Sequence, residues 1–128
     1  MVKSMTRRQK RVGELIRREI STLLERKVKD PRLSFVTVTD VEVTFDLKDA
    51  FIYVSAPEGQ VRKEEILEGF ERASGFLRHE LAQNLRIKFI PRLNFVWDDS
   101  LERGQRINQL LREIKERENV QRSDSQEP

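Results

Sequence analysis

A glycine stands in the middle of the most regular amphipathic run of this chain. From Glu64 to Leu85, the residues Ile66, Leu67, Phe70, Leu77, Leu81 and Leu85 recur at helical spacing. Ala73, Ser74 and Gly75 lie inside that run. An interior glycine costs about 1 kcal/mol relative to alanine, and a serine there can turn its hydroxyl onto the backbone and bend the helix. Small residues together predict a kink, a close approach of another backbone, or both. The plainer explanation is a packing glycine that lets the helix lie near a sheet.

The flanking segments supply that sheet. A first helix is expected from Thr6 to Lys27, opened by a Thr6/Gln9 capping box. Val12, Leu15, Ile16, Ile20, Leu23 and Leu24 form its apolar stripe. Asp30-Pro31 ends it, because a residue before proline avoids the α conformation. A strand is predicted over Phe35 to Thr44. Its apolar parity changes between Val36/Val38 and Val41/Val43, which predicts a bulge near Thr39-Asp40. Asp46 to Asp49 reads as a turn, and a second strand as Ala50 to Ala56. After the small-residue helix, a third strand is predicted over Arg86 to Trp97, with Pro91 marking an edge or bulge. Asp98-Asp99-Ser100 offers N-caps for a last helix, from Leu101 to Glu116. The polar stretch 117–128 reads as a disordered tail. Counting the interrupted helix as two, the order is α-β-β-α-α-β-α. This is an α+β layer fold with a three-stranded sheet, forming one domain over 1–116.

The charge is unevenly placed. Residues 1–30 hold ten Lys/Arg against four Asp/Glu, a net of +6, and the remainder holds fifteen against eighteen, a net of −3. A basic arm leading into a basic helix is an electrostatic footprint for phosphate, although a charged helix face is more often simply solvated. Cysteine is absent, which removes disulfides, thiolate metal sites and a cysteine nucleophile. No stretch is apolar enough for a membrane span, and the N-terminus lacks the apolar core of a secretory signal. The cytoplasm is the expected compartment. His79 is the single histidine, Asp98 and Asp99 read as caps rather than metal ligands, and no P-loop, dinucleotide fingerprint or nucleophile elbow occurs. Catalysis, cofactors and metal sites are therefore not expected.

Helices meeting at small residues before a strand resemble a KH-like RNA-binding fold. An ordinary KH module clamps backbone with a GxxG loop; this chain has none and carries Ala73-Ser74-Gly75 at that junction. Further segments extend the likeness. They are Arg8 to Val12, Asp30-Pro31-Arg32-Leu33 running into Val36 to Thr39, and Asp46-Leu47 with Tyr53-Val54-Ser55. Ala73 to Arg78 with Glu80-Leu81 follows, then Ile87, Pro91, Leu93, Phe95, Asp98, Arg106-Ile107 and Leu110-Leu111. In this order and spacing the chain resembles the bacterial ribosome-binding factor A family, small-subunit assembly factors, from about Arg8 to Ile114. Its short, mildly basic C-terminus departs from members that carry a long basic extension.

The resemblance implies a KH-like domain of the second topological type, with an Ala-x-Gly kink in place of GxxG. It implies a non-catalytic, monomeric factor that binds free 30S subunits near the 5′ end of 16S rRNA and the neck. There it would assist late maturation and 5′-end processing, with a role in cold adaptation. Release would involve an assembly GTPase or initiation factors. On this reading Lys3, Arg7, Arg8, Lys10, Arg11, Arg17 and Arg18 supply phosphate contacts, which position without reading sequence. Gly75 admits an RNA backbone, Ser74 donates to phosphate, and Arg72 and Arg78 flank the junction. Lys88 and Arg92 extend the basic surface. Most of the seven phenylalanines are expected in the core, leaving base stacking minor. Two other readings remain open: a protein-interaction module, and an RNA binder without small-subunit selectivity.

Overall fold

The computed structural model describes residues 5–126, with side chains described over 5–100 and 103–120. Lys3, the rest of the extreme N-terminus and residues 127–128 lie outside that range, as does the side chain of Leu101. The elements are α1 (Arg7–Arg26), a 3-10 turn at Pro31–Leu33, β1 (Thr37–Val43), β2 (Asp49–Ser55) and a second 3-10 turn at Gly59–Arg62. They continue with α2 (Lys63–Asn84), β3 (Arg92–Trp97) and α3 (Ser100–Gln126). The chain forms two compact units that divide after Asp98.

Local chemistry sets the start of α1. Thr6 is the N-cap, its hydroxyl accepts from the Gln9 amide, and the Gln9 side chain accepts from the Thr6 N–H. This reciprocal pair satisfies two backbone donors that the first turn would leave open. The predicted stripe then buries Val12, Ile16, Ile20 and Leu23 against the sheet. Gly13 lies on the same face, where a Cβ would come 3.0 Å from the Val41 carbonyl oxygen. The helix can therefore lie directly on β1.

The sheet order is β1-β2-β3, with β1/β2 antiparallel and β2/β3 parallel. The expected bulge is present: pairing runs Val38↔Val54 and then Asp40↔Tyr53, so Thr39 is extra. It preserves burial on one face by moving Val41 and Val43 into the parity of Val38. In α2, Ile66, Phe70, Leu77 and Leu81 are fully buried, and Phe70 stacks on Phe95 of β3 with centroids 4.5 Å apart. The core spans α1, β1, β2, α2 and β3.

Four expectations are corrected. α2 is one uninterrupted helix through Ala73, Ser74 and Gly75, not two. One interior glycine costs only about 1 kcal/mol, less than four buried apolar side chains on either side of it supply. β1 begins at Thr37, because Phe35 takes a left-handed conformation with φ 62° and is exposed. β3 begins at Arg92 rather than Arg86, since Pro91 lacks the N–H a ladder needs; Phe89 stands in solvent in the preceding loop. Finally, α3 is helical to Gln126, past the expected end at Glu116. No proline interrupts Leu101 to Gln126 and most of its residues are good helix formers. Its Ile107, Leu110, Leu111 and Ile114 are exposed.

Candidate nucleic-acid interface

The first two turns of α1 carry the strongest free positive charge. Arg7, Arg8, Lys10 and Arg11 are all exposed, and among the described residues none of them pairs with a carboxylate. The next turn differs. Arg17 and Arg18 both bind Glu14, at 2.6 and 3.0 Å. The hydrogen bond from Arg17 holds the Glu14 carboxyl down at about 2 against a smaller opposing effect of desolvation, with a further, lesser hydrogen bond from Arg18. These two arginines are thus partly neutralised within the protein, and the phosphate-ready part of α1 is its start.

On α2, Gly75 is exposed, and a Cβ placed there would meet nothing within 4 Å beyond its own helix. The packing explanation is thereby excluded for Gly75. Two other glycines do that work: Gly13 against β1, and Gly69, whose Cβ would lie 3.0 Å from Leu33 Cδ2. Ser74 is half-buried. Arg72 pairs with Glu68 at 3.3 Å, and Arg78 donates to the Ile90 carbonyl at 3.1 Å. Arg78 therefore braces the loop before β3 while keeping its charge outside.

At the start of β3, Arg92 binds the Asp49 carboxylate at 3.0 Å; this contact, then that of Asn94, holds Asp49 below the usual carboxylate range. Lys88 lies over the Phe89 ring, 5.5 Å from its centroid. Lys48, next to the Asp49↔Arg92 pair, and Arg86, in the loop that leads to β3, are also exposed and are not among the expected site residues. The expectation that most phenylalanines are core residues is corrected as well. Only Phe70 is fully buried and Phe95 packs beside it, whereas Phe35, Phe45 and Phe89 are 80%, 81% and 74% exposed. Alternation in the sequence made Phe89 look inward-facing, but alternation has meaning only inside a strand.

The candidate residues do not form one patch. Two contacts tie α1 to α2: Lys27 to Glu80 at 3.2 Å and Asn84 to Glu19 at 2.8 Å. Rising numbers on α1 meet falling numbers on α2, so the helices are antiparallel. With a rise of 1.5 Å per residue, Arg8 lies about 16 Å beyond the Glu19 level and Gly75 about 14 Å beyond Asn84 in the other direction. The basic start of α1 and the open backbone of α2 are therefore about 30 Å apart along the helices. A ligand touching both is a large, folded, polyanionic surface rather than a short strand.

Among the described residues, no group of three or more His, Asp or Glu side chains is placed to hold a metal ion, and no helix is long and apolar enough to cross a membrane. Asp98 accepts the Thr39 hydroxyl at 2.6 Å and its N–H donates to the Val54 carbonyl at 2.8 Å, which continues the β3 ladder by one residue. Asp99 accepts at its carbonyl from the Arg103 N–H and pairs with the Arg103 side chain at 3.0 Å.

Comparison with known proteins identifies the family. The family model described as ribosome-binding factor A matches residues 8–111. The ribosome-binding factor A of Halothermothrix orenii is 43% identical over 117 residues, covering 91% of this chain and 96% of the relative. The crystal structure of ribosome-binding factor A from Thermus thermophilus superposes with a TM-score of 0.63 at 27% identity, over 70% of this chain and 93% of that one. A homology model of the Thermus thermophilus factor, fitted into a cryo-EM map of its 30S complex, gives 0.55 at 26% identity over 75% and 97%. These neighbours share the KH-like fold, with its three-stranded mixed sheet and helices. By family model, sequence identity and fold, this chain belongs to the ribosome-binding factor A family.

Proposed function

We propose that this protein is a non-catalytic assembly factor that binds free small ribosomal subunits through their rRNA. It favours one late conformation of the 16S rRNA near its 5′ end and neck. It acts by shifting a population of rRNA conformations, not by breaking a bond. The observation that carries the RNA reading is Gly75. It has no packing role, yet it weakens its helix, and it stands with open backbone between Arg72 and Arg78. The choice of the small subunit rests on the family and on the relative fitted into a 30S complex. Support of 5′-end processing, a role in the cold, and release by a GTPase or initiation factors belong to the same proposal. So do a monomeric state, a cytoplasmic location and the absence of a cofactor.

Co-sedimentation with isolated small subunits, large subunits and whole ribosomes across a salt series tests this. Selective migration with free small subunits, lost steeply as salt rises, is expected. Reversing the charges of Arg7, Arg8, Lys10 and Arg11 should weaken binding and flatten the log–log salt slope by about one for each phosphate contact removed. Equal binding to all particles would reduce the protein to a non-selective RNA binder. Binding insensitive to salt would replace RNA by a protein surface as its partner.

A further inference from the structure

We infer that the end of the domain where α1 starts carries a second RNA site, a platform on which unpaired nucleotides stack against Phe45 and Phe89. This deepens the proposed function and rests on it for the identity of the RNA.

Two hydrogen bonds bring three segments to that end. The Gln9 side chain donates to the Val43 carbonyl at 2.8 Å, pinning the first turn of α1 beside the β1–β2 turn. The Arg92 N–H donates to the Lys48 carbonyl at 2.8 Å, pinning the end of loop 85–91 beside the same turn. Phe45 is two residues beyond Val43, and Phe89 three residues before Arg92. Both rings are more than 70% exposed.

The turn holds Phe45 outward firmly. Asp46 accepts from the Thr44 hydroxyl at 2.7 Å and from the Lys48 N–H at 3.0 Å. Thr44 and Asp49 close the turn from both sides. Leu47 takes φ 62°, an unfavourable left-handed conformation for leucine, and packs against the core beneath. The strain thus accompanies a geometry in which the leucine goes in and the phenylalanine stays out. Lys88 lies over the Phe89 ring, and Lys48 in the turn, Arg86 in the loop and the cations of the first turns of α1 are exposed. The acids of this turn are occupied: Asp46 by the turn itself, Asp49 by Arg92 and Asn94. Exposed aromatics set among free cations, with the local acids engaged, fit a partner that combines flat apolar faces with negative charge. Unpaired nucleotides have both, and base–aromatic stacking tolerates any sequence.

The test compares Phe45→Ala, Phe89→Ala and the double variant with wild type for affinity to free small subunits. Because both rings are exposed, unfolding curves should be unchanged. Loss of affinity by about tenfold per ring is expected, with no change in salt slope. Tryptophan should rescue at either position and leucine should not. Unchanged affinity in the double variant, or equal rescue by leucine, would overturn the platform while leaving small-subunit binding in place. A wild type that ignores small subunits would defeat the proposed function alone. The platform is then decided by Phe89→Trp in a Trp97→Phe background, mixed with a short unstructured RNA. Quenching of the indole supports stacking, and unquenched fluorescence at saturating RNA overturns it. Trp97→Phe breaks no hydrogen bond among the described residues, and the unfolding curve of this background checks that it is folded.

Discussion

Gly13 and Gly75 are both glycines within helices, and their surroundings give them opposite consequences. Alanine at Gly75 adds a methyl to open space and removes the helix penalty of glycine. Gly75→Ala should therefore stabilise the protein by up to about 1 kcal/mol, read as a raised urea midpoint. Gly75→Glu should fold equally well and lose small-subunit affinity, since it fills the backbone opening with bulk and negative charge. Alanine at Gly13 instead brings a methyl against the Val41 carbonyl, a backbone atom held in the sheet that cannot turn aside. Gly13→Ala should cost about 1–3 kcal/mol, as overpacking does, and lower the midpoint. A destabilised Gly75→Ala would return that glycine to a structural role and remove the observation on which the RNA reading stands. The sequence showed where the glycines fall in helical patterns but not which of them faces a neighbour. That depends on a β1 carbonyl 28 residues away from Gly13 in the chain.

Among elements, α1, the 3-10 turn that Asp30 caps and the β1–β2 hairpin carry the acid sensitivity. Glu14 is held at about 2, chiefly by Arg17, and Asp30 is held below its ordinary value, chiefly by Arg32. Asp46 is lowered by the Thr44 hydroxyl and the Lys48 N–H, and Asp49 by Arg92. All four release their protons more easily folded than unfolded. Their stabilisation is therefore complete above the ordinary carboxylate range and is lost as pH falls through the lowered values. Thermal midpoints should drop as pH is taken from about 4.5 toward 2, and Glu14→Gln should make that drop shallower. An identical pH profile for the variant would show that the Glu14 pairs persist in the unfolded chain. These elements were legible in sequence because their signals are local: the capping box, the parity change of the bulge, and the Asp-rich turn. β3 was misread at its start because Ile87 and Phe89 alternate as a strand would. The tertiary fact that Pro91 cannot enter the ladder with β2 is what decides its boundary. α2 was misread as two helices because its small residues suggest a break, whereas the apolar stripe on both sides of them is buried and keeps the helix continuous.

For the whole molecule, the division after Asp98 makes the clearest prediction. Every buried core side chain among the described residues lies between Val12 and Leu93, with Phe95 and Trp97 packed alongside. Each described candidate contact, from Arg7 to Arg92, lies in the same unit. A chain ending at Asp98 should thus unfold cooperatively, with a midpoint within a few degrees of the full protein, and should bind small subunits with the same salt slope. Loss of cooperativity would mean that the first unit needs the second to fold. Intact folding with a shallower slope would mean that α3 supplies phosphate contacts of its own. The sequence could not indicate this boundary. Ile107, Leu110, Leu111 and Ile114 recur as in any core-facing helix, and such a pattern says only that a face is apolar, not that this fold covers it. In the structure that stripe is exposed, while the excess of basic charge sits at the opposite end of the sequence. Measuring the truncated chain separates these two features, because one predicts an apolar contribution indifferent to salt and the other a contribution that salt removes.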